Sequence, residues 1–112
     1  MGFWKQAFAL LLIKNFRHNL GQLTGGIPEG MQAHHTLPNA FRKEFEQLGI
    51  NIDDPKYGVW LETSIHQKTK DPYNARWKVF FEDHNDKGVK ATVEEIENYA
   101  QQLMQEFYGH SQ

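Results

Sequence analysis

The first apolar pattern in the chain predicts a helix over residues 3 to 20. Its apolar residues recur at helical spacing and fall near one face: Phe8, Leu11, Leu12, Phe16 and Leu20. Cationic side chains lie on the opposite face, and Gly21 is predicted to end the helix and to open a glycine-rich loop over residues 21 to 30. The apolar run over residues 7 to 13 is shorter than the roughly 20 apolar residues that span a bilayer, so we expect neither a membrane segment nor a signal peptide.

Two short apolar stretches predict a pair of β-strands. Residues 31 to 36 form the first and residues 59 to 61 the second, and so short a hairpin needs helices packed around it to be stable. Between the strands, a Pro-Asn pair opens a predicted helix over residues 40 to 48, which Gly49 ends. The middle of the chain is therefore expected to form a small hairpin interrupted by a helix.

Two further helices are predicted in the second half of the chain. Asp71 as N-cap and Pro72 at the first helical position predict a helix that begins there and runs to about residue 82. Residues 85 to 88 are a predicted turn. The Thr92-Val93-Glu94-Glu95 segment is a capping box for a last helix, which is expected to reach about Tyr108 and to end at Gly109.

These elements predict one α+β domain over residues 1 to 112, mainly helical, with an N-terminal helix at residues 1 to 22 and a C-terminal helix at residues 91 to 109. Hydrophobic residues make up 39% of the chain and aromatic residues 13%, which is enough for a packed core. The sequence has no cysteine, so disulfides and thiolate metal sites are excluded. The net charge of −2 gives no general attraction for nucleic acid.

The adjacent pair His34-His35 is the first candidate for chemistry. Two imidazoles at the end of a strand can have different roles, since one can bind a divalent cation while the other acts as a general base near neutral pH. The alternative is that both are ordinary surface or core histidines, which is the commoner reason for such a pair.

A second candidate segment runs from His66 to Asn74. Because His66 precedes the predicted helix start at Asp71, His66 and Asn74 are expected on different segments that converge on one site. Tyr73 and Trp77, with Phe80 or Phe81, recur at helical spacing and are expected in the core. Taken alone, His66 is more often a structural residue than a metal ligand.

Four segments in order resemble the His-His subgroup of HNH nucleases, the AHH-, GHH- and SHH-type toxin domains: AHHTLP, LGINIDDP, YGVWLE and HQKTKDPYNARW. The resemblance runs from about His34 to Trp77. It implies a ββα-metal nuclease core, which we place over residues 31 to 84. It also implies that His34 and His66 bind the metal, that His35 is the general base, and that Asn74 is a catalytic group, as a ligand or an orienting residue.

The chain departs from the family pattern at two positions. Tyr57 stands where several relatives have Asn before the second strand, and Lys70 stands where many have a second helical His. A lysine is a poor metal ligand and a natural phosphate contact, so a three-histidine site is not expected. The resemblance then implies one divalent ion, Mg²⁺ or Zn²⁺ with Mn²⁺ as a further candidate, held by His34 with His66 or Asn74 and by water. Glu62 lies between the two segments and is a further candidate ligand.

The same segment carries the candidate nucleic-acid contacts, four cations against the single acid Asp71, for a local charge of +3: Lys68, Lys70, Arg76 and Lys78. The resemblance implies a nuclease that acts on DNA, with RNA as the alternative substrate. It also implies a bacterial effector, exported by a secretion system, active in the target-cell cytoplasm and countered by a cognate immunity protein. Two alternatives stay open: a helical metal- or nucleic-acid-binding module without catalysis, and an interaction protein that uses its apolar first helix.

Overall fold

The structure is a computed structural model that describes residues 15 to 109. It contains a two-stranded antiparallel hairpin surrounded by helices, which confirms the mainly helical α+β prediction. Most of the helix predicted over residues 3 to 20 lies outside the described residues. The elements are α1 (Phe16–Thr24), β1 (Met31–His35), α2 (Arg42–Gln47), β2 (Gly58–Glu62), α3 (Thr63–Lys87) and α4 (Val93–Tyr108), with short 3-10 turns at Asn39–Phe41 and Pro55–Tyr57.

The hairpin presents its two histidines to different helices. In the strand register His34 lies opposite Val59, and His35 lies opposite Gly58. Because neighbouring side chains on a strand point to opposite faces, His34 contacts α3 while His35 contacts α1. The hairpin therefore places the two imidazoles of the pair on opposite faces.

An aromatic core fixes α3 against the rest of the molecule. Tyr73 and Trp77 are fully buried, as predicted, and the ring of Phe45 meets Trp77 edge-on at 5.2 Å between centroids. The Tyr73 hydroxyl donates a hydrogen bond to the Thr36 carbonyl oxygen at 2.6 Å. Residues of α4 close the other side of this core: Ile96, Ala100, Leu103 and Met104.

The predicted start of the third helix at Asp71 is wrong. Helix α3 begins at Thr63, directly after β2, and passes through Pro72. Its first turn is anchored because the Thr63 amide and hydroxyl both donate to the Gly30 carbonyl oxygen, at 3.3 Å and 3.2 Å. The free energy gained by burying one face of the helix against the core exceeds the cost of the backbone hydrogen bond that a proline removes. The Asp-Pro pair thus looks like a helix start although it lies mid-helix.

Two predicted helix ends also need correction. Helix α1 continues through Gly21 and ends before Gly25, which has a φ of 91°. Gly21 serves close packing instead, because a Cβ there would lie 2.7 Å from Cγ1 of Ile27. Helix α3 runs past the predicted end at residue 82 to Lys87. The capping box of α4 and its end at Gly109 are confirmed.

Replacing Pro72 with alanine is expected to stabilise the protein by about 1 to 3 kcal/mol. Pro72 is exposed within α3, and alanine restores the amide donor that the Lys68 carbonyl lacks. Urea unfolding at neutral pH measures the change in the free energy of unfolding. A loss of stability would show instead that the core requires a helix bent at this position.

No helix within residues 15 to 109 combines the length and the apolar character that a membrane crossing requires.

Candidate active site

The structure brings His34 of β1 and His66 of α3 together. Their ring centroids lie 5.2 Å apart in an edge-on arrangement. Two tyrosine rings complete the surroundings of His34, with centroid distances of 4.8 Å to Tyr73 and 5.7 Å to Tyr108. The residues that the sequence selected as metal ligands are therefore neighbours.

His34 is buried and neutral. Only 5% of it is exposed, and its Nε2 atom is buried without a hydrogen-bond partner in the structure. Burial, followed by the charges of His66 and His35, lowers the pKa of His34 to about 3. A buried ring nitrogen without a partner is unfavourable in a folded protein, and an uncharged imidazole is the form that binds a metal ion.

His66 is oriented by a residue of the neighbouring strand. Its Nδ1 donates a hydrogen bond to Oε1 of Gln32, which is an amide oxygen that only accepts. The ring therefore carries its proton on Nδ1, and its Nε2 keeps a free lone pair. Burial, followed by the charges of Lys70 and His35, lowers the pKa of His66. A hydrogen bond of this kind commonly orients a metal-binding histidine.

These two imidazoles suit a divalent cation. The imidazole of His34 is neutral and its Nε2 has no partner, while Nε2 of His66 carries a free lone pair, so each ring offers a nitrogen that can bind a cation. Among residues 15 to 109, no group of three His, Asp or Glu side chains is arranged to hold a metal. An ion bound here would complete its coordination with water or with substrate oxygens, as in catalytic metal sites that keep open positions.

His35 is held by a carboxylate. Its Nε2 lies 2.9 Å from Oδ1 of Asp53, which is only 3% exposed. Arg42 donates two further hydrogen bonds to Asp53, at 2.7 Å and 3.1 Å. Burial alone would raise the pKa of Asp53, but the hydrogen bonds from Arg42 and His35 outweigh it and hold this pKa below its usual value. Asp53 is therefore an ionised carboxylate that accepts a hydrogen bond from the Nε2–H group of His35.

This contact determines which nitrogen of His35 is free. With Nε2 donating to Asp53, the lone pair is on Nδ1, and the ring is 24% exposed. A partly exposed imidazole oriented by a buried carboxylate is the usual arrangement of a general base. Sequence reasoning gave Asp53 no role. The available signal was its place in LGINIDDP, one of the four segments that carry the family resemblance.

An open cleft of about 640 Å³ lies along β1 and includes no residue of β2. His35 and His66 both line it, so the general base and one candidate ligand face the same space. The other lining residues are Phe16, Arg17, Gln32, Ala33, Asn39, Arg42 and Asp53. A second, more apolar groove between β2 and α4 is lined by no histidine.

The expectation that His66 and Asn74 lie on different segments is wrong, because α3 contains both. Asn74 lies eight residues, or about 12 Å along the helix axis, beyond His66, and no contact of Asn74 with the site histidines is seen in the described part of the chain. Its neighbour Tyr73 contacts His34 instead. The catalytic role of Asn74 stays a prediction.

The four predicted nucleic-acid contacts point in different directions around α3. Lys70 is near enough to His66 for its charge to lower the pKa of that histidine. The Arg76 guanidinium forms two hydrogen bonds with Glu106, and Lys78 lies 4.0 Å from Glu82. Lys68 is exposed on α3, and none of the four cations, Lys70 included, lines the cleft.

A family model covers residues 15 to 106 of this chain. The family, AHH, is described as a nuclease family of the HNH/ENDO VII superfamily with conserved AHH. The chain belongs to the AHH family. The protein is therefore a nuclease, and its single Ala-His-His run, residues 33 to 35, is the conserved motif. No curated protein and no solved structure matches the chain.

The family match extends over all the described helices and strands except the last residues of α4. Helix α1 is part of this match, so the contact between α1 and His35 lies inside the family domain. The conserved pair occupies two environments here: His34 is buried beside His66, and His35 is paired with Asp53. The fold thus gives the two conserved histidines different surroundings, one beside a second imidazole and one beside a carboxylate.

Proposed function

We propose that this AHH-family protein is a metal-dependent endonuclease in which His35 is the general base and His34 and His66 hold one divalent cation. The observation that carries the proposal is the contrast within the pair. His35 is partly exposed and oriented by Asp53, whereas His34 is neutral, buried and left with an unpartnered Nε2. Each histidine has the environment that its proposed role requires.

In the proposed reaction, Nδ1 of His35 accepts a proton from a water molecule as the water oxygen attacks the phosphorus atom. A new P–O bond forms, the ester P–O bond breaks, and the leaving oxygen takes a proton from solvent. Asp53 stabilises the imidazolium that results, because its buried carboxylate accepts from Nε2 throughout. A bound cation supplies electrostatic stabilisation of the charge that develops on the phosphate oxygens.

Two imidazole ligands favour ions that accept nitrogen donors. Zn²⁺ fits this donor set better than Mg²⁺ or Mn²⁺, which both prefer oxygen ligands. Glu62 is exposed at the end of β2, and in the described residues it does not complete a three-residue metal site with the histidines. We therefore rank Zn²⁺ ahead of Mn²⁺ and Mg²⁺ as the cofactor to be tested.

As substrate we propose DNA first and RNA second. We also propose that the domain is the toxin part of a secreted bacterial effector. It would act in the cytoplasm of the target cell and be inhibited by a cognate immunity protein. The support for this setting is the sequence resemblance to His-His toxin nucleases. Lys70, next to His66 on the same helix face, is the first of the predicted basic residues to test for phosphate contact.

A cleavage assay tests the proposal directly. Supercoiled plasmid and a structured RNA are each incubated with the protein in chelator and then in Zn²⁺, Mn²⁺ or Mg²⁺. We expect cleavage that requires a divalent ion and ceases in chelator. Binding of nucleic acid without cleavage in any ion would favour the non-catalytic binding module instead.

Replacing His34 with alanine is expected to weaken binding of the activating metal by at least about tenfold, or 1.4 kcal/mol. The variant removes one of two nitrogen donors, and titration calorimetry with the ion alone measures the affinity. His18→Ala is the matched control, because His18 is exposed on α1 away from the site. Equal affinity in wild type and His34→Ala would refute the assignment of His34 as a ligand.

A further inference from the structure

The ring of Phe16 lies flat against the imidazole of His35. Their centroids are 3.8 Å apart and their planes differ by only 9°. Phe16 is the first residue of α1, and its ring also lines the cleft. The face of the proposed general base is thus covered by an aromatic ring, while its Nε2 edge is bound to Asp53.

Gly58 makes this stacking geometrically feasible. It lies opposite His35 in the hairpin, and a Cβ at this position would lie 2.8 Å from Cζ of Phe16 and 3.1 Å from Cδ1 of Leu20. The backbone of Gly58 has φ −116° and ψ 149°, a conformation that any residue adopts. The glycine is therefore required by the close approach of α1 and not by the strand itself.

We propose that Phe16, seated on Gly58, is a positioning residue for the general base His35. Asp53 fixes one edge of the imidazole, and Phe16 fixes the plane of the ring, so that rotation about the side-chain bonds is restricted and Nδ1 keeps one direction. This inference rests on the proposed role of His35. It gives helix α1 a part in the active site, whereas the sequence had suggested only packing or partner contact for that helix.

The expected effect falls on kcat rather than on substrate binding. Phe16→Leu keeps an apolar side chain but loses the flat ring, and we expect kcat to fall roughly three- to tenfold with little change in KM, since misplacement of a reacting group slows the chemical step. Phe16→Tyr keeps an aromatic ring at this position, so its kcat should stay near the wild-type value. Gly58→Ala displaces the ring from the opposite strand and should reproduce the Phe16→Leu effect.

Leu20→Ala is the matched control for stability. Leu20 lies one turn further along the same face of α1, is fully buried, and packs over Gly58 without a ring contact to His35. Its replacement should lower Tm at least as much as Phe16→Leu, yet leave kcat of the folded protein unchanged. A parallel loss of kcat in both variants would reduce Phe16 to an ordinary core residue and overturn the proposal.

Two further measurements separate this inference from the proposed function. The ring protons of His35 should show an upfield NMR shift caused by the stacked ring, lost in Phe16→Leu and kept in Phe16→Tyr. In a His35→Ala background, Phe16→Leu should not lower the residual rate further. A further loss of rate in the His35→Ala background, or an unshifted His35 resonance in the wild type, would overturn the positioning role. Absence of any cleavage by the wild type would instead refute the nuclease mechanism, and the NMR result would still hold.

Discussion

Replacing His35 with alanine is expected to slow phosphodiester cleavage by a factor on the order of 10² to 10⁴, which is the usual contribution of a general base. The variant removes the nitrogen that accepts the proton from water, and no other described imidazole in the cleft is held in the same way. His66, the second histidine of the cleft, already uses its Nδ1 to bind Gln32. Initial rates on plasmid at saturating metal measure the effect.

The same variant should leave the fold and the metal affinity nearly intact. Asp53 keeps both hydrogen bonds from Arg42 when His35 is absent, and His34 lies on the opposite face of β1. His35→Gln is the sharper companion, because its amide can still donate to Asp53 but cannot accept a proton from water. Wild-type rates in both variants would require a different base.

Elements whose cause is local were predictable from the sequence. The capping box before α4 depends on Thr92 and Glu95, which bond to each other's backbone within four residues, and the structure confirms it. The apolar positions of the two short strands and the motif residues around Ala33-His34-His35 are likewise visible in short stretches of the sequence. The stability of the hairpin, by contrast, requires the helices that pack around it.

Features that depend on distant contacts were not predictable in this way. Pro72 is a strong local signal for a helix start, but the burial of Tyr73 and Trp77 and the anchoring of Thr63 on Gly30 extend α3 well before it. Tertiary packing overrides local preference here. The consequence for the site is direct, because one continuous helix presents His66 toward His34 and carries Asn74 further away.

The supports of His35 were missed for the same reason. Asp53 is 18 residues from His35 in sequence and Phe16 is on a different helix, so neither contact is visible in the motif itself. A histidine pair indicates candidate chemistry, but only the fold shows which member is oriented and which is buried. The division of roles proposed from the resemblance thus gains a physical basis in two separate environments.

Replacing Asp53 with asparagine is expected to reduce kcat by about 10- to 100-fold, the range typical of a residue that orients a functional group. Asparagine retains the size of the side chain but loses the negative charge that stabilises the imidazolium of His35. It also weakens the two hydrogen bonds from Arg42, which is partly exposed, so the free energy of unfolding at neutral pH should fall by about 1 to 3 kcal/mol.

The pH dependence of that stability loss has a definite sign. The pKa of Asp53 is lower in the folded protein than its ordinary value near 4, so its stabilising contribution is present above about pH 4 and is lost as the pH falls through the folded pKa. Urea unfolding of wild type and Asp53→Asn should therefore differ at pH 7, and the difference should shrink as the pH falls below about 4. Asp54→Asn is the control, because the Asp54 carboxylate caps the Lys56 amide and does not touch His35. A gap between wild type and Asp53→Asn that stays constant to pH 2, or a loss of kcat in Asp54→Asn equal to that in Asp53→Asn, would show that the paired carboxylate is not what supports the base.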